Sequence, residues 1–79
     1  MQATIAISLD LKGLSCPIPI AKTAIAMKRL APGELLEVFA TDPGSVADFK
    51  AWSKVTRNPL LESGLDTDVY RFLLMKREA

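Results

Sequence analysis

Residues 31 to 45, APGELLEVFATDPGS, leave the backbone few choices. Pro32 disfavours helical dihedrals at Ala31 and Gly33 frees the chain to turn, so a helix arriving from the N-terminal side stops here. The run ELLEVFA, 34 to 40, is apolar and β-favouring and too short for a helix, which makes it a buried strand. A start signal follows directly. Asp42 is placed to cap a second helix by accepting backbone N–H groups, and Pro43 takes the first helical position, where a missing N–H costs nothing. A strand closed off by breakers, with a helix on either side, is the centre of an alternating α/β chain.

The flanking segments complete the order. Ile5, Ile7, Leu9 and Leu11 alternate along TIAISLDL, 4 to 11, the period of a strand with one buried face. From Pro17 to about Leu30 the period becomes helical, with Ile20, Ala24, Met27 and Ala31 recurring on one side. The second helix, about 44 to 57, is expected to bury Val46, Phe49, Trp52 and Val55. NPLLES, 58 to 63, reads as a short strand, GLDTD as a hairpin connection and VYRFLLMK, 69 to 76, as a closing strand. The order βαβαββ, with two helices to cover one face of four strands, predicts a two-layer α/β sandwich on a mixed sheet. The 79 residues suffice for one core, so 1–79 is read as a single domain.

Composition removes several function classes. Ten Lys/Arg nearly balance nine Asp/Glu, and a net charge of +1 gives no overall pull toward nucleic acid. One cysteine forms no internal disulfide, and without histidine there is no Cys–His catalytic pair and no His/Cys metal set, so neither metal nor cofactor is expected. The N-terminus lacks signal-peptide features and no apolar run approaches the roughly 20 residues of a membrane span. The expectation is a reduced, cytoplasmic protein without membrane contact.

The chemistry concentrates on GLSCPIPIAK, 13 to 22. Cys16 falls where the first strand's loop meets the first helix, as N-cap or its neighbour. A helix N-terminus favours a thiolate, lowering a reference pKa of about 8.5. Pro17 and Pro19 remove N–H groups from the first turn and fix two φ angles, which suggests moderate activation and a rigidly directed thiol. The nearest acid in sequence is Asp10 and the nearest cations are Lys12 and Lys22. No general base is evident, and a hydrolase or isomerase lacks parts. The ordinary alternative is a small buried apolar cysteine behind a common proline-started helix.

From Leu9 to Lys76 the chain resembles the TusA family of small sulfur-carrier proteins, also called SirA-like. The resemblance rests on LDLKGLSCPIP, with Gly13, Leu14 and the Cys-Pro-x-Pro signature on Cys16, Pro17 and Pro19. It extends to Pro32, Gly33, Asp42 and Pro43 around the second strand, and to Tyr70, Phe72 and Lys76 in the closing strand. Ser15 and Ile18 stand where the family often has charged residues. The resemblance implies that Cys16 accepts a sulfur atom as a persulfide from a cysteine desulfurase or rhodanese-like donor. It then relays the sulfur to an acceptor protein serving tRNA thiolation, molybdenum cofactor synthesis or sulfur oxidation. Such a chain is a sulfurtransferase-like carrier rather than a stand-alone turnover enzyme.

The two helical segments carry Lys22, Lys28, Arg29, Lys50, Lys54 and Arg57 against Asp48 alone. Lys50, Lys54 and Arg57 fall at i, i+4 and i+7, one stripe. This is either a solvated helix face or, with Lys22, a surface for docking an acidic partner beside Cys16, to which Ile18 would add an apolar contact. Phe49 and Trp52 read as core rather than as a stacking platform, which weighs against direct nucleic-acid binding. An RNA-binding or regulatory module with an inert cysteine is the alternative function. A monomer is expected, since a carrier shows one face to successive partners.

Overall fold

The computed structural model describes residues 4–78. Its elements are β1 (Ile5–Leu11), α1 (Ile18–Met27), β2 (Leu35–Ala40), α2 (Ser45–Thr56), β3 (Leu60–Asp66) and β4 (Val69–Met75). They build the expected βαβαββ chain with a mixed sheet in the order β1-β2-β4-β3. β1 and β2 pair in parallel, whereas β4 lies antiparallel to both β2 and β3. Apolar residues from the sheet and both helices join in one core, where Leu36, Val38, Ala40, Phe49, Phe72 and Leu74 have no exposed surface. The alternating residues Glu37 and Arg71 project from the opposite face, where Arg71 Nε donates to Glu37 Oε2 at 2.7 Å and its Nη1 to Glu62 Oε1 at 3.2 Å. The guanidinium holds the Glu37 carboxyl below its ordinary value.

The element boundaries moved where tertiary contacts outweighed local signals. α1 ends at Met27 rather than Leu30, and its last turns tighten into Arg29 N–H to Ala26 O and Leu30 N–H to Met27 O bonds. Ala31 is therefore outside the helix and exposed. The third strand begins two residues later than expected, because the buried Asn58 accepts Arg77 N–H on Oδ1 at 2.9 Å and Ser53 Oγ–H on its carbonyl at 2.7 Å. Gly64 and Leu65, assigned to the connection, pair instead with Arg71 and Tyr70 of β4, leaving only Thr67 and Asp68 as the turn. Along β1 only Leu11 is fully buried, while Ile7 and Leu9 are half-buried and Ile5 is exposed, since β1 is an edge strand.

Val55 is the clearest correction. It is 83% exposed, whereas Phe49 is completely buried and stacks on Phe72 with ring centroids 4.4 Å apart. Nine residues separate Val46 from Val55, about two and a half turns at 3.6 residues per turn, so the two lie on opposite sides of α2. Phe49→Ala is expected to cost about 3–5 kcal/mol in denaturant unfolding, a large share of the stability of so small a chain, while Val55→Ala should change it by less than about 0.5 kcal/mol.

Candidate functional site: one thiol between two carboxylates

β1 and β2 run parallel and end side by side, Leu11 opposite Ala40, so the segments that follow them leave the same edge of the sheet. Gly13 joins these segments. Its backbone has φ 84°, which glycine adopts freely, and its N–H donates to Thr41 Oγ1 at 2.8 Å. The half-buried Leu14 packs against the core, and a turn closed by Ile18 N–H to Ser15 O at 3.0 Å carries Cys16 and Pro17 into α1. Pro17 is the cap residue of α1, so Cys16 lies one position outside the helix and only Pro19 of the two prolines is in its first turn. Pro19 is also fully buried. Its ring therefore anchors the start of α1 by packing as well as by fixing φ. Pro17 and Ile18 are exposed and Cys16 is half-buried.

The environment of the thiol differs most from expectation. Cys16 Sγ donates toward Asp42 Oδ2 at 3.1 Å and makes a short contact with Asp48 Oδ2. These partners lie 26 and 32 residues away in the chain. A thiol has one proton, so two carboxylates compete for it. The Cys16 pKa is pushed up to about 12, first by the hydrogen bond to Asp48, then by that to Asp42, with burial and the two negative charges adding to it. The expected mild activation by the α1 dipole does not survive. About half a charge at a helix end is outweighed by two full carboxylate charges in contact with the sulfur.

Asp42 is not the cap of α2. That place is taken by Gly44, and no side chain caps the helix. Asp42 Oδ2 instead accepts Gly44 N–H at 3.0 Å, an Asx turn that leaves the same oxygen facing Cys16, while the Asp42 carbonyl accepts Ser45 N–H at 3.0 Å. Gly44 has φ −74°, an ordinary value, so its lack of a side chain matters for space. A Cβ there would lie 3.0 Å from Asp42 Oδ2 and 3.9 Å from both Asp48 Oδ2 and Cys16 Sγ. Asp48 and Gly44 were missed in the sequence. In the sequence Asp48 is the one acid on a basic helix, and nothing in local spacing brings it to Cys16.

The sulfur and one oxygen from each carboxylate lie within 4.8 Å of one another, near enough to share a cation. They already satisfy one another through the thiol proton, and nothing in the arrangement calls for a metal. The basic residues expected to form a docking surface come from α1 and from α2 with its C-cap. Lys22, Lys50, Lys54 and Arg57 are all exposed, but Lys50 is two positions from Asp48 and hence on a different side of α2. Arg57 has left the helix in a left-handed conformation, φ 64°, and Lys22 borders a shallow groove with Leu9, Ile25 and Arg29. No ion pair joins these cations to Asp42 or Asp48 among the described residues.

In the unfolded chain Cys16 should ionise near the ordinary 8.5, so the folded state retains a proton that the unfolded state releases. Stability is then expected to fall as pH rises from about 9 toward 12, with a steeper slope in the wild type than in Cys16→Ala, read by urea unfolding. Alkylation of Cys16 should shift to lower pH in Asp48→Asn, and more so than in Asp42→Asn, because the hydrogen bond to Asp48 is the larger cause.

The sequence matches the family profile described as Sulfurtransferase TusA over residues 7–76. It is 49% identical over 76 residues to "Putative sulfur carrier protein YrkF" of Bacillus subtilis, covering 96% of this chain but only 40% of that longer relative. It is 44% identical over 68 residues to the sulfur carrier protein TusA of Allochromatium vinosum, covering 86% of this chain and 90% of that one. A solved structure of a SirA-like protein from Desulfitobacterium hafniense shares the fold, with a TM-score of 0.79 at 22% identity over 91% of this chain and 99% of that one. No helix among the described residues is long and apolar enough to cross a membrane. A profile match over most of the chain, carried by relatives of this similarity, means that the chain belongs to the TusA, or SirA-like, family.

Proposed function

We propose that this chain carries sulfur as a persulfide on Cys16, taking it from a protein donor such as a cysteine desulfurase or rhodanese-like enzyme and passing it to an acceptor protein. The observation that carries this reading is the position of the chain's one thiol. Cys16 is half-buried at the loop edge of the sheet, bordered by the exposed Pro17 and Ile18, where a second protein can reach it. The names of the relatives, sulfur carrier proteins, support it.

Loading is an exchange between sulfur atoms. The Cys16 sulfur attacks the outer sulfur of a donor persulfide, the donor's S–S bond breaks with its electron pair going to the donor thiolate, and the Cys16 proton ends on that leaving group. Asp48 is the nearest base through which that proton can pass. Incubation with a cysteine desulfurase and cysteine, followed by intact-mass measurement, is expected to show a gain of one sulfur that disappears on mild reduction and is absent in Cys16→Ser. An unchanged wild-type mass, or an equal gain in Cys16→Ser, overturns the proposal.

A further inference from the structure

We propose that Asp42 and Asp48 select the sulfur donor by charge: they favour a partner protein that brings a lysine or arginine up to the two carboxylates and disfavour free anionic donors such as thiosulfate. This rests on Cys16 being the loading site. Any sulfur that reacts with Cys16 must come into contact with Sγ, and both carboxylates are already in contact with it. The groups carried by the incoming sulfur therefore sit within a few ångströms of two negative charges. At that range, and partly shielded from water, each unit of charge on the reagent changes its local concentration by about tenfold.

The surrounding cations do not cancel this field. Lys50 leaves α2 on a different side from Asp48, Lys22 faces the groove along β1, and the ion pairs among the described residues are confined to Lys12–Asp10 and to Arg71 with Glu37 and Glu62. One flank of the cluster is open. Gly44 presents no side chain to Asp42, Asp48 or Cys16; a Cβ there would press on Asp42 Oδ2 at 3.0 Å and reach Asp48 Oδ2 and Cys16 Sγ at 3.9 Å, ordinary contact. A partner cation entering at that flank does two things. It compensates the carboxylates that a donor persulfide has to approach, and by engaging their oxygens it loosens the hydrogen bonds to Asp48 and Asp42 that hold the thiol proton. The proton then moves from Sγ to Asp48, the less engaged of the two since Asp42 Oδ2 also holds Gly44 N–H, and from there to the donor's leaving thiolate. The outer sulfur changes partner, Cys16 becomes the persulfide and the donor becomes a thiol, so no further oxidant is needed.

Two methanethiosulfonate reagents of opposite charge, trimethylammonium-ethyl and sulfonato-ethyl, test the field directly on the intact protein. Each forms a disulfide with Cys16 and releases methanesulfinate. With rates divided by those of free cysteine, the wild type is expected to favour the cationic reagent by about tenfold or more. The preference should collapse toward one in Asp42→Asn/Asp48→Asn, whose amide oxygens still accept the Gly44 N–H. A second arm compares sulfur loading from a cysteine desulfurase with loading from thiosulfate, expecting the wild type to take sulfur from the first far faster and the double variant to narrow the gap. A wild-type reagent ratio of one, a ratio unchanged in the variant, or equal loading from thiosulfate overturns donor selection while leaving the carrier reading intact. A wild type that takes sulfur from neither source ends both.

Discussion

The parallel pairing of β1 with β2 is the constraint on which the site depends. The two strands end in register at Leu11 and Ala40, so the segment that carries the thiol and the one that carries Asp42 emerge together. The Gly13 to Thr41 hydrogen bond then fixes one loop to the other, and the burial of Pro19 ties the start of α1 to the core a few residues beyond the sulfur. α2 begins at Ser45, two residues beyond Pro43, and its first turn supplies Asp48. Three groups from three stretches of chain are thereby held around a single proton by strand pairing, by the Gly13 to Thr41 side-chain bond and by a buried proline ring.

Much of this was legible in the sequence because it is written locally. Pro32, Gly33 and Pro43 punctuate the chain so firmly that β2 and the helices around it could be placed, and the alternation from Ile5 to Leu11 marked β1. Cys16 and its prolines announced the site by themselves. What failed needed distance or geometry. A face that steps by three residues along a helix drifts, which is why Val46 and Phe49 turn inward and Val55 does not. Asp42 has two uses for its carboxylate, and local reasoning found the capping one, whereas the folded chain uses it for the Gly44 turn and the thiol. The acidity of Cys16 was misjudged in sign, because a helix dipole is visible in sequence and a carboxylate 32 residues away is not.

The resting chemistry of the site follows from that sign. A thiol whose proton is held by two carboxylates is a poor nucleophile in free solution, slow to form disulfides or to react with adventitious electrophiles. For a sulfur carrier, such inertness between encounters is useful. The reactivity needed for transfer is then a property of the encounter, supplied when another protein alters the electrostatics around Asp42 and Asp48.

β1 is, with β3, one of the two edge strands of the sheet. It pairs on one side only, its pairing with β2 is irregular between Ile5 and Ile7, and Ile5 is exposed. An element with few buried apolar contacts and exposed backbone hydrogen bonds opens at a lower free-energy cost than the core does. When β1 lifts from β2, the loop that holds Cys16 leaves with it while Asp42 and Asp48 stay with β2 and α2, and the sulfur recovers the acidity of a free cysteine. Thiol reactivity in this protein is therefore a gauge of edge-strand breathing, and a mutation far from the sulfur that loosens β1 would register as a more reactive Cys16.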